Sequence, residues 1–175
     1  MADSRVPTPL ARALARNERP AGREDQGVPS VYLYPGELLV TADALAVSTV
    51  LGSCVCVCFW DGATRHGGLN HFLLPHRTRD ESSAGRFGRS AMEILLERIL
   101  TLGCERRNLT ARVFGGASQF EPAGDRVPIG AQNVAVALEF LEEAGIPVVQ
   151  SEVGGTRGRK IVFRTASGDV SVKTL

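Results

Sequence analysis

The chain has 175 residues, a formal net charge of +1 and 43% hydrophobic residues. This length and composition are typical of one globular domain with an apolar core. The near-neutral charge gives no electrostatic case for binding nucleic acid, and no apolar run approaches the roughly 18 residues that indicate a membrane span. The N-terminus lacks the apolar core of a signal peptide, so we expect a soluble, cytoplasmic protein without membrane insertion.

The first thirty residues differ in composition from the rest of the chain. They contain four prolines, five arginines and few large apolar side chains. Repeated prolines interrupt both helices and strands. We therefore predict a disordered N-terminal tail over residues 1–30, with an amphipathic docking helix over 10–17 as the alternative, and one folded domain over 31–175.

Short apolar runs bounded by turn residues predict strands through most of this domain. The predicted strands are 31–34, 37–41, 45–50, 55–60, 67–74, 109–114, 147–153, 160–164 and 169–173. Apolar residues at helical spacing predict helices over 90–102 and 133–144, each followed by a glycine, and a polar loop is expected over 77–88. The sum is an α+β domain, a mixed β-sheet or sandwich with flanking helices.

Three of the four cysteines, Cys54, Cys56 and Cys58, fall within five residues. A secreted disulfide scaffold spreads its cysteines to close longer loops, so this spacing favours free thiols. If the strands on either side of residues 61–66 pair with Trp60 opposite Gly67, the three cysteines share one face of the sheet.

In that register His71 lies opposite Cys56, on the same face of the hairpin. Cys54 is then its diagonal neighbour, about 7–8 Å away between backbones and within side-chain reach. A slip of one residue would turn His71 to the other face. The sequence therefore predicts a thiol–imidazole pair only for this register.

Cys54 is the best candidate nucleophile of the three because it follows a bend at Gly52 and Ser53. Glycine permits close approach of a substrate, and free backbone N–H groups at such a bend can serve as an oxyanion hole. We expect His71 to act as the base and to lower the pKa of the Cys54 thiol, giving a thiolate at neutral pH. Cys56 and Cys58 lie further along an apolar strand, where thiols behave as small inert hydrophobes.

Other interpretations of these residues stay open. The cysteines can be plain core residues, and His71 a hydrogen-bonded core histidine. Cysteines and a histidine also suit zinc, but alternate strand residues are about 6.5–7 Å apart, too far for easy closure around one ion, so no metal is expected. The basic glycine segment 154–160 can hold an anion, although it precedes a strand and is better explained as a tight turn with exposed charge.

Several segments together resemble one known family. The run Val47–Asp61, with Gly52-Ser53-Cys54 at its centre, resembles the active-site segment of the CheD family of chemoreceptor glutamine deamidases. Further similar segments are 67–75, 86–88, 113–117, Ile129-Gly130 with Asn133, 145–147 and 153–160. Their number, order and spacing make the resemblance specific, and it covers about residues 32–173.

The resemblance implies a protein-glutamine glutaminase, an amidohydrolase that converts selected chemoreceptor glutamines to glutamates in chemotaxis, through a Cys-His thioester and without a cofactor. The family's nucleophile falls on Cys54 and its histidine on His71. Its third residue, usually threonine, falls on Ser48, with Thr49 next to it. The bend at Gly52 and Ser53, and not the resemblance, is the basis for expecting backbone support of the oxyanion there. The implied fold is similar to the catalytic domain of the cytotoxic necrotizing factors.

The resemblance also implies partners. The substrate would be the cytoplasmic domain of a chemoreceptor, and some family members bind the phosphatase CheC. The alternative function is a non-catalytic adaptor that binds receptors or CheC. A cysteine peptidase is a further variant, because the same pair of side chains can cleave peptide bonds.

Overall fold

The computed structural model describes residues 27–76, 81–118 and 126–175, without the side chains of 81–83. The tail predicted for residues 1–30 lies almost wholly outside these ranges. In the described part of the chain, no helix combines the length and the apolar character needed to cross a membrane.

Nine strands and two α-helices form the described domain, and the predicted α+β class is confirmed. The strands are β1 (Ser30–Tyr32), β2 (Leu38–Thr41), β3 (Ala46–Leu51), β4 (Val55–Asp61), β5 (His66–Asn70), β6 (Leu109–Gly115), β7 (Val148–Val153), β8 (Arg159–Arg164) and β9 (Val170–Thr174). The helices are α1 (Gly88–Thr101) and α2 (Ile129–Ala144), with short 3-10 helices at Glu81–Arg86 and Arg106–Asn108.

The differences from the predicted boundaries have local causes. The predicted loop before α1 contains the first 3-10 helix, and β5 ends at Asn70, since Phe72 and Leu74 form only isolated bridges. Helix α2 begins four residues before the predicted start, directly after Pro128. A fixed proline φ favours a helix start, whereas the first turn of α2 lacks the apolar spacing on which the prediction relied.

The strands form two sheets that pack face to face. The five-stranded sheet has the order β2-β5-β4-β6-β7 and the four-stranded sheet the order β1-β3-β8-β9. One apolar cluster, which we call the inter-sheet core, joins residues of both sheets, such as Val47, Phe163, Leu69 and Phe114. A second cluster lies between the five-stranded sheet and the two helices. The domain is thus a sandwich with helices on one side.

The predicted hairpin register is confirmed. Strands β4 and β5 are antiparallel, with Trp60 opposite Gly67. The isolated bridge between Val55 and Phe72 continues the same register beyond the end of β5. A side chain at Gly67 would meet the ring of Phe163 at 2.9 Å, so glycine lets the four-stranded sheet pack closely over this hairpin.

Candidate active site

The three clustered cysteines lie where the inter-sheet core reaches the surface. Cys56 and Cys58 are fully buried members of that core, and Cys54 is half-buried against it. The alternation of β4 therefore places all three thiols on the inter-sheet face, as the sequence predicts. Cys54 is the one that stays partly accessible.

Backbone contacts from the end of β6 hold the turn that carries Cys54. The N–H of Gly116 donates to the Cys54 carbonyl at 2.8 Å, and the N–H of Ala117 donates to the Gly52 carbonyl at 2.8 Å. Gly115 has φ +109°, and a Cβ there would collide with the Cys54 carbonyl oxygen. The Gly115-Gly116 pair thus belongs to the site because only glycine permits this approach.

The other side of the turn leaves hydrogen-bond donors unused. In the described chain, the N–H groups of Ser53 and Cys54 make no hydrogen bond to another residue. Donors of this kind beside a nucleophile can stabilise an oxyanion.

His71 is fixed from both its backbone and its ring. Its N–H donates to the carbonyl of Glu37 at 3.0 Å, and its own carbonyl accepts from the N–H of Gly36 at 2.6 Å. Its Nδ1 lies 2.8 Å from Thr49 Oγ1, and the same hydroxyl donates to the Leu33 carbonyl at 2.8 Å. Because the hydroxyl has one proton and Leu33 can only accept, Nδ1 carries a proton and donates to Thr49. Nε2 is then left with a free lone pair.

That lone pair has no partner in the resting protein. His71 Nε2 is buried without a hydrogen bond in the described structure, and none joins His71 to the Cys54 thiol. The register makes the two residues diagonal neighbours on one face, since Cys56 lies opposite His71. The imidazole and the thiol are thus neighbours that form no hydrogen bond with each other in this state.

Both groups are neutral at pH 7. Burial lowers the pKa of His71 to about 4. A smaller effect from the backbone of Leu33 raises this pKa and partly opposes the burial. Burial also raises the pKa of the Cys54 thiol, against a lowering effect of its own backbone N–H. The predicted thiolate is therefore wrong for this resting state, because desolvation disfavours both charged forms.

Of the two hydroxyl residues considered for the family's third catalytic position, Ser48 lies on the face of β3 that points away from His71. Val47 and Leu51 belong to the inter-sheet core, so Thr49 between them also faces His71. Alternation turns Ser48 to the outer face, together with the exposed Val50. The structure brings Thr49, and not Ser48, to His71.

Cys56 and Cys58 have the properties expected of core thiols. Both have 0% exposure, and their sulfurs lie 3.9 Å apart. Burial, followed by the neighbouring Cys58 thiol, raises the pKa of Cys56 well above its ordinary value. In the described residues, no group of three or more histidine, cysteine or acidic side chains is placed to hold a metal ion.

The basic glycine segment 154–160 contains the expected turn, with Gly154 and Gly155 at positive φ and Arg157 exposed, but Arg159 has a further role. The guanidinium of Arg159 donates to the carbonyls of Gly115, Glu152 and Gly154 at 2.6, 2.8 and 2.7 Å. The guanidinium therefore binds backbone carbonyl groups beside the Cys54 turn. The expectation of an exposed charge is wrong for this residue.

Asn133 belongs to the segments that carry the family resemblance, but no sequence pattern assigns it a role at the site. It lies on α2 with 0% exposure, and its Nδ2 donates to the carbonyls of Ser53 and Leu73 at 2.9 Å each. Apart from that resemblance, its signal in the sequence is a polar residue on the buried side of a helix.

The family model described as CheD chemotactic sensory transduction matches residues 73–174. A crystal structure of Neisseria meningitidis protein NMB0706, of the DUF152 family, covers 83% of this chain and 69% of its own at 13% identity and a TM-score of 0.47, which is too weak for any inference.

Curated relatives match over most of their length. A protein of Anaeromyxobacter dehalogenans named "Probable chemoreceptor glutamine deamidase CheD 1" is 44% identical over 95% of this chain and 95% of its own. A protein of Rhodospirillum rubrum named "Probable chemoreceptor glutamine deamidase CheD" is 45% identical over 85% of this chain and 84% of its own. With a family model and full-length relatives in agreement, this chain belongs to the CheD family.

Proposed function

We propose that this protein hydrolyses the side-chain amide of selected chemoreceptor glutamines, with Cys54 as nucleophile and His71 as base. The observation that carries the proposal is the hydrogen bond between Thr49 and His71 Nδ1, which leaves Nε2 free on the face that Cys54 shares. The names of the relatives supply the substrate class. The receptor's cytoplasmic domain is the substrate, so the reaction takes place in the cytoplasm.

The first half-reaction forms a thioester. The Cys54 sulfur attacks the carboxamide carbon while its proton passes to His71 Nε2. The carbonyl oxygen becomes an oxyanion that the Ser53 and Cys54 N–H groups stabilise. The C–N bond then breaks, and the imidazolium returns its proton to the leaving nitrogen, so that ammonia departs.

The second half-reaction releases glutamate. A water molecule gives a proton to His71 Nε2 and attacks the thioester carbon. The same donors stabilise the second oxyanion, the C–S bond breaks, and Cys54 recovers its proton from the imidazolium. The net change is one amide and one water converted to one carboxylic acid and one ammonia.

The neutral resting state determines when the proton moves. A desolvated imidazole with a pKa of about 4 is a weak acceptor for the proton of a half-buried thiol whose pKa is raised, so we infer that no stable ion pair precedes attack. Proton transfer therefore accompanies formation of the C–S bond. Thr49 contributes by holding the Nδ1–H tautomer, which keeps Nε2 as the acceptor throughout.

The test is to incubate a chemoreceptor cytoplasmic fragment with the purified protein. Peptide mass spectrometry should find glutamate in place of selected glutamines, with ammonia released in equal amount. Cys54→Ala should abolish both changes, whereas Cys56→Ala, the matched change of a buried thiol, should retain them in the folded protein.

Three results would contradict the proposal. Undiminished ammonia release by Cys54→Ala would remove the nucleophile. Stoichiometric binding of the fragment without deamidation would identify an adaptor. Cleavage of the fragment into two peptides would identify a peptidase.

A further inference from the structure

Asn133 occupies a position on α2 that otherwise suits an apolar residue. Its neighbours on the buried side of the helix include Val136, Ala137 and Phe140, and it is fully enclosed. Its Nδ2 gives both hydrogens to the backbone, one to the Ser53 carbonyl and one to the Leu73 carbonyl. These contacts join the turn of the nucleophile to the segment that follows the base.

The two carbonyls lie where the strands that carry Cys54 and His71 separate. The bridge between Val55 and Phe72 is the last backbone pairing of these two segments. In the same register Cys54 would lie opposite Leu73, but the Leu73 N–H donates to the carbonyl of Arg86 instead. The Asn133 amide thus supplies hydrogen bonds that the backbones no longer exchange.

The orientation of this amide follows from its partners. Turning it over would place Oδ1 against two carbonyl oxygens, which repel it, so Nδ2 must face them. Oδ1 is buried without a hydrogen-bond partner in the described structure. A buried acceptor without a partner destabilises the fold. We infer that the two hydrogen bonds donated by Nδ2 offset this unfavourable free energy.

The contact with Ser53 sets the direction of the next N–H group. A trans peptide is planar, so its C=O and N–H point in opposite directions. Because Asn133 holds the Ser53 carbonyl toward α2, the Cys54 N–H points away from α2. The same N–H lowers the pKa of the Cys54 thiol, which agrees with a position close to the sulfur.

From this geometry we propose that Asn133 is a positioning residue that locks the peptide between Ser53 and Cys54, so that the Cys54 N–H donates to the oxyanion. The inference rests on the proposed function and assigns one part of its catalytic machinery. Loss of one oxyanion donor typically lowers the rate about 10²–10³-fold. Because Asn133 acts through the peptide, we expect a loss of at least about 10-fold when it is replaced.

The test compares two reactions of the same sulfur. Acylation of Cys54 by p-nitrophenyl acetate passes through an oxyanion, whereas alkylation by iodoacetamide displaces iodide from a saturated carbon and does not. Both rates are measured by intact mass, with Cys54→Ala as the background. In Asn133→Leu the ratio of acylation to alkylation should fall at least about 10-fold, because changes in thiol pKa or access affect both rates.

A matched control separates this role from general destabilisation. Thr165 is also fully buried, and its hydroxyl donates to the Asp43 carbonyl at 2.7 Å and accepts from the Leu45 N–H at 2.9 Å. Thr165→Val should lower the melting temperature and leave the ratio at the parent value. Asn133→Ala, which leaves room for water, is the second test variant.

The outcomes are distinct. An unchanged ratio in a folded Asn133 variant overturns the proposal, and so does failure of both variants to fold, because the residue would then hold the whole domain rather than one peptide. If the parent produces no glutamate in a receptor fragment, the proposed function fails, whatever the ratio shows.

Discussion

Each face of the five-stranded sheet is covered by an apolar cluster, but the buried polar groups on the two faces have different roles. On the helix-covered side, Asn70 accepts from the Val57 N–H at 3.0 Å, and Asn133 donates to two carbonyls. On the inter-sheet side, His71 is 1% exposed, bonds Thr49 of the opposite sheet and keeps Nε2 unpaired. On the helix-covered side the polar side chains hydrogen-bond and fix the backbone. On the inter-sheet side His71 keeps one ring nitrogen available as a base.

This difference shows that one face of a sheet can stabilise the fold while the other face carries the candidate catalytic residues. Side chains alternate along β4, so Val55 and Val57 enter the helix-covered core, while Cys54 and Cys56 face the other sheet. Only at the rim of the inter-sheet core does a thiol meet solvent. The site thus lies where the core ends and needs no separate cavity deep in the domain.

Among the changes that keep the Cys54 thiol, removal of the base should have the largest effect. His71→Gln keeps a polar side chain but removes the proton acceptor, and general-base catalysis typically contributes about 10²–10⁴-fold, so kcat for ammonia release should fall by that factor. Leu95→Ala, in the helix-covered core, should lower the free energy of unfolding by about 2–5 kcal/mol and leave kcat of the folded protein near the parent value. A parent-like kcat in His71→Gln would erase the distinction between the two faces.

The second effect concerns pH. The pKa of His71 is about 4 in the fold against 6.5 as its ordinary value, so between these values the unfolded chain binds a proton that the folded chain does not. The contribution of this neutral imidazole to the free energy of unfolding is fully present above pH 6.5. It falls as the pH drops toward 4, by up to roughly 3 kcal/mol. Denaturant unfolding of the parent and of His71→Gln from pH 7 to pH 4 measures it.

His71→Gln should lose less stability than the parent over this interval, because groups common to both proteins cancel in the difference. Parallel losses in the two proteins would show that the imidazole is not desolvated in the fold.

Most of the fold follows from the sequence because short-range rules determine it. Apolar runs between turn residues place all nine strands, and the apolar spacing of 133–144 finds α2 but misses its first turn. The pairing of Trp60 with Gly67 is predictable because the turn between them is short. Which sheet faces the helices and which strand crosses to the second sheet depend on contacts far apart in sequence, and no local pattern specifies them.

In the candidate site, too, the contacts within one hairpin are predictable from the sequence, whereas contacts between distant elements are not. Cys54 and His71 are found from one hairpin, but the contact of His71 with Thr49 joins two different sheets. The charge states also depend on burial that appears only after both sheets pack, which is why the expected thiolate is wrong. Arg159 and Asn133 reach the site from distant elements through backbone carbonyls, and although both lie in segments of the family resemblance, no local pattern predicts these contacts. The likeness to the cytotoxic necrotizing factors stays a prediction.

The smallest of these effects separates the two faces of β3. Thr49→Val keeps the shape of the side chain but removes the acceptor for His71 Nδ1–H, so the imidazole is no longer held in one tautomer. A neutral hydroxyl orients an imidazole less strongly than a carboxylate does, so kcat should fall by only about 10-fold, and Thr49→Ser should recover most of it. Ser48→Ala, one residue away on the outer face, should leave kcat at the parent value. Steady-state ammonia release measures all three variants, and a larger loss in Ser48→Ala than in Thr49→Val would return the orienting role to Ser48.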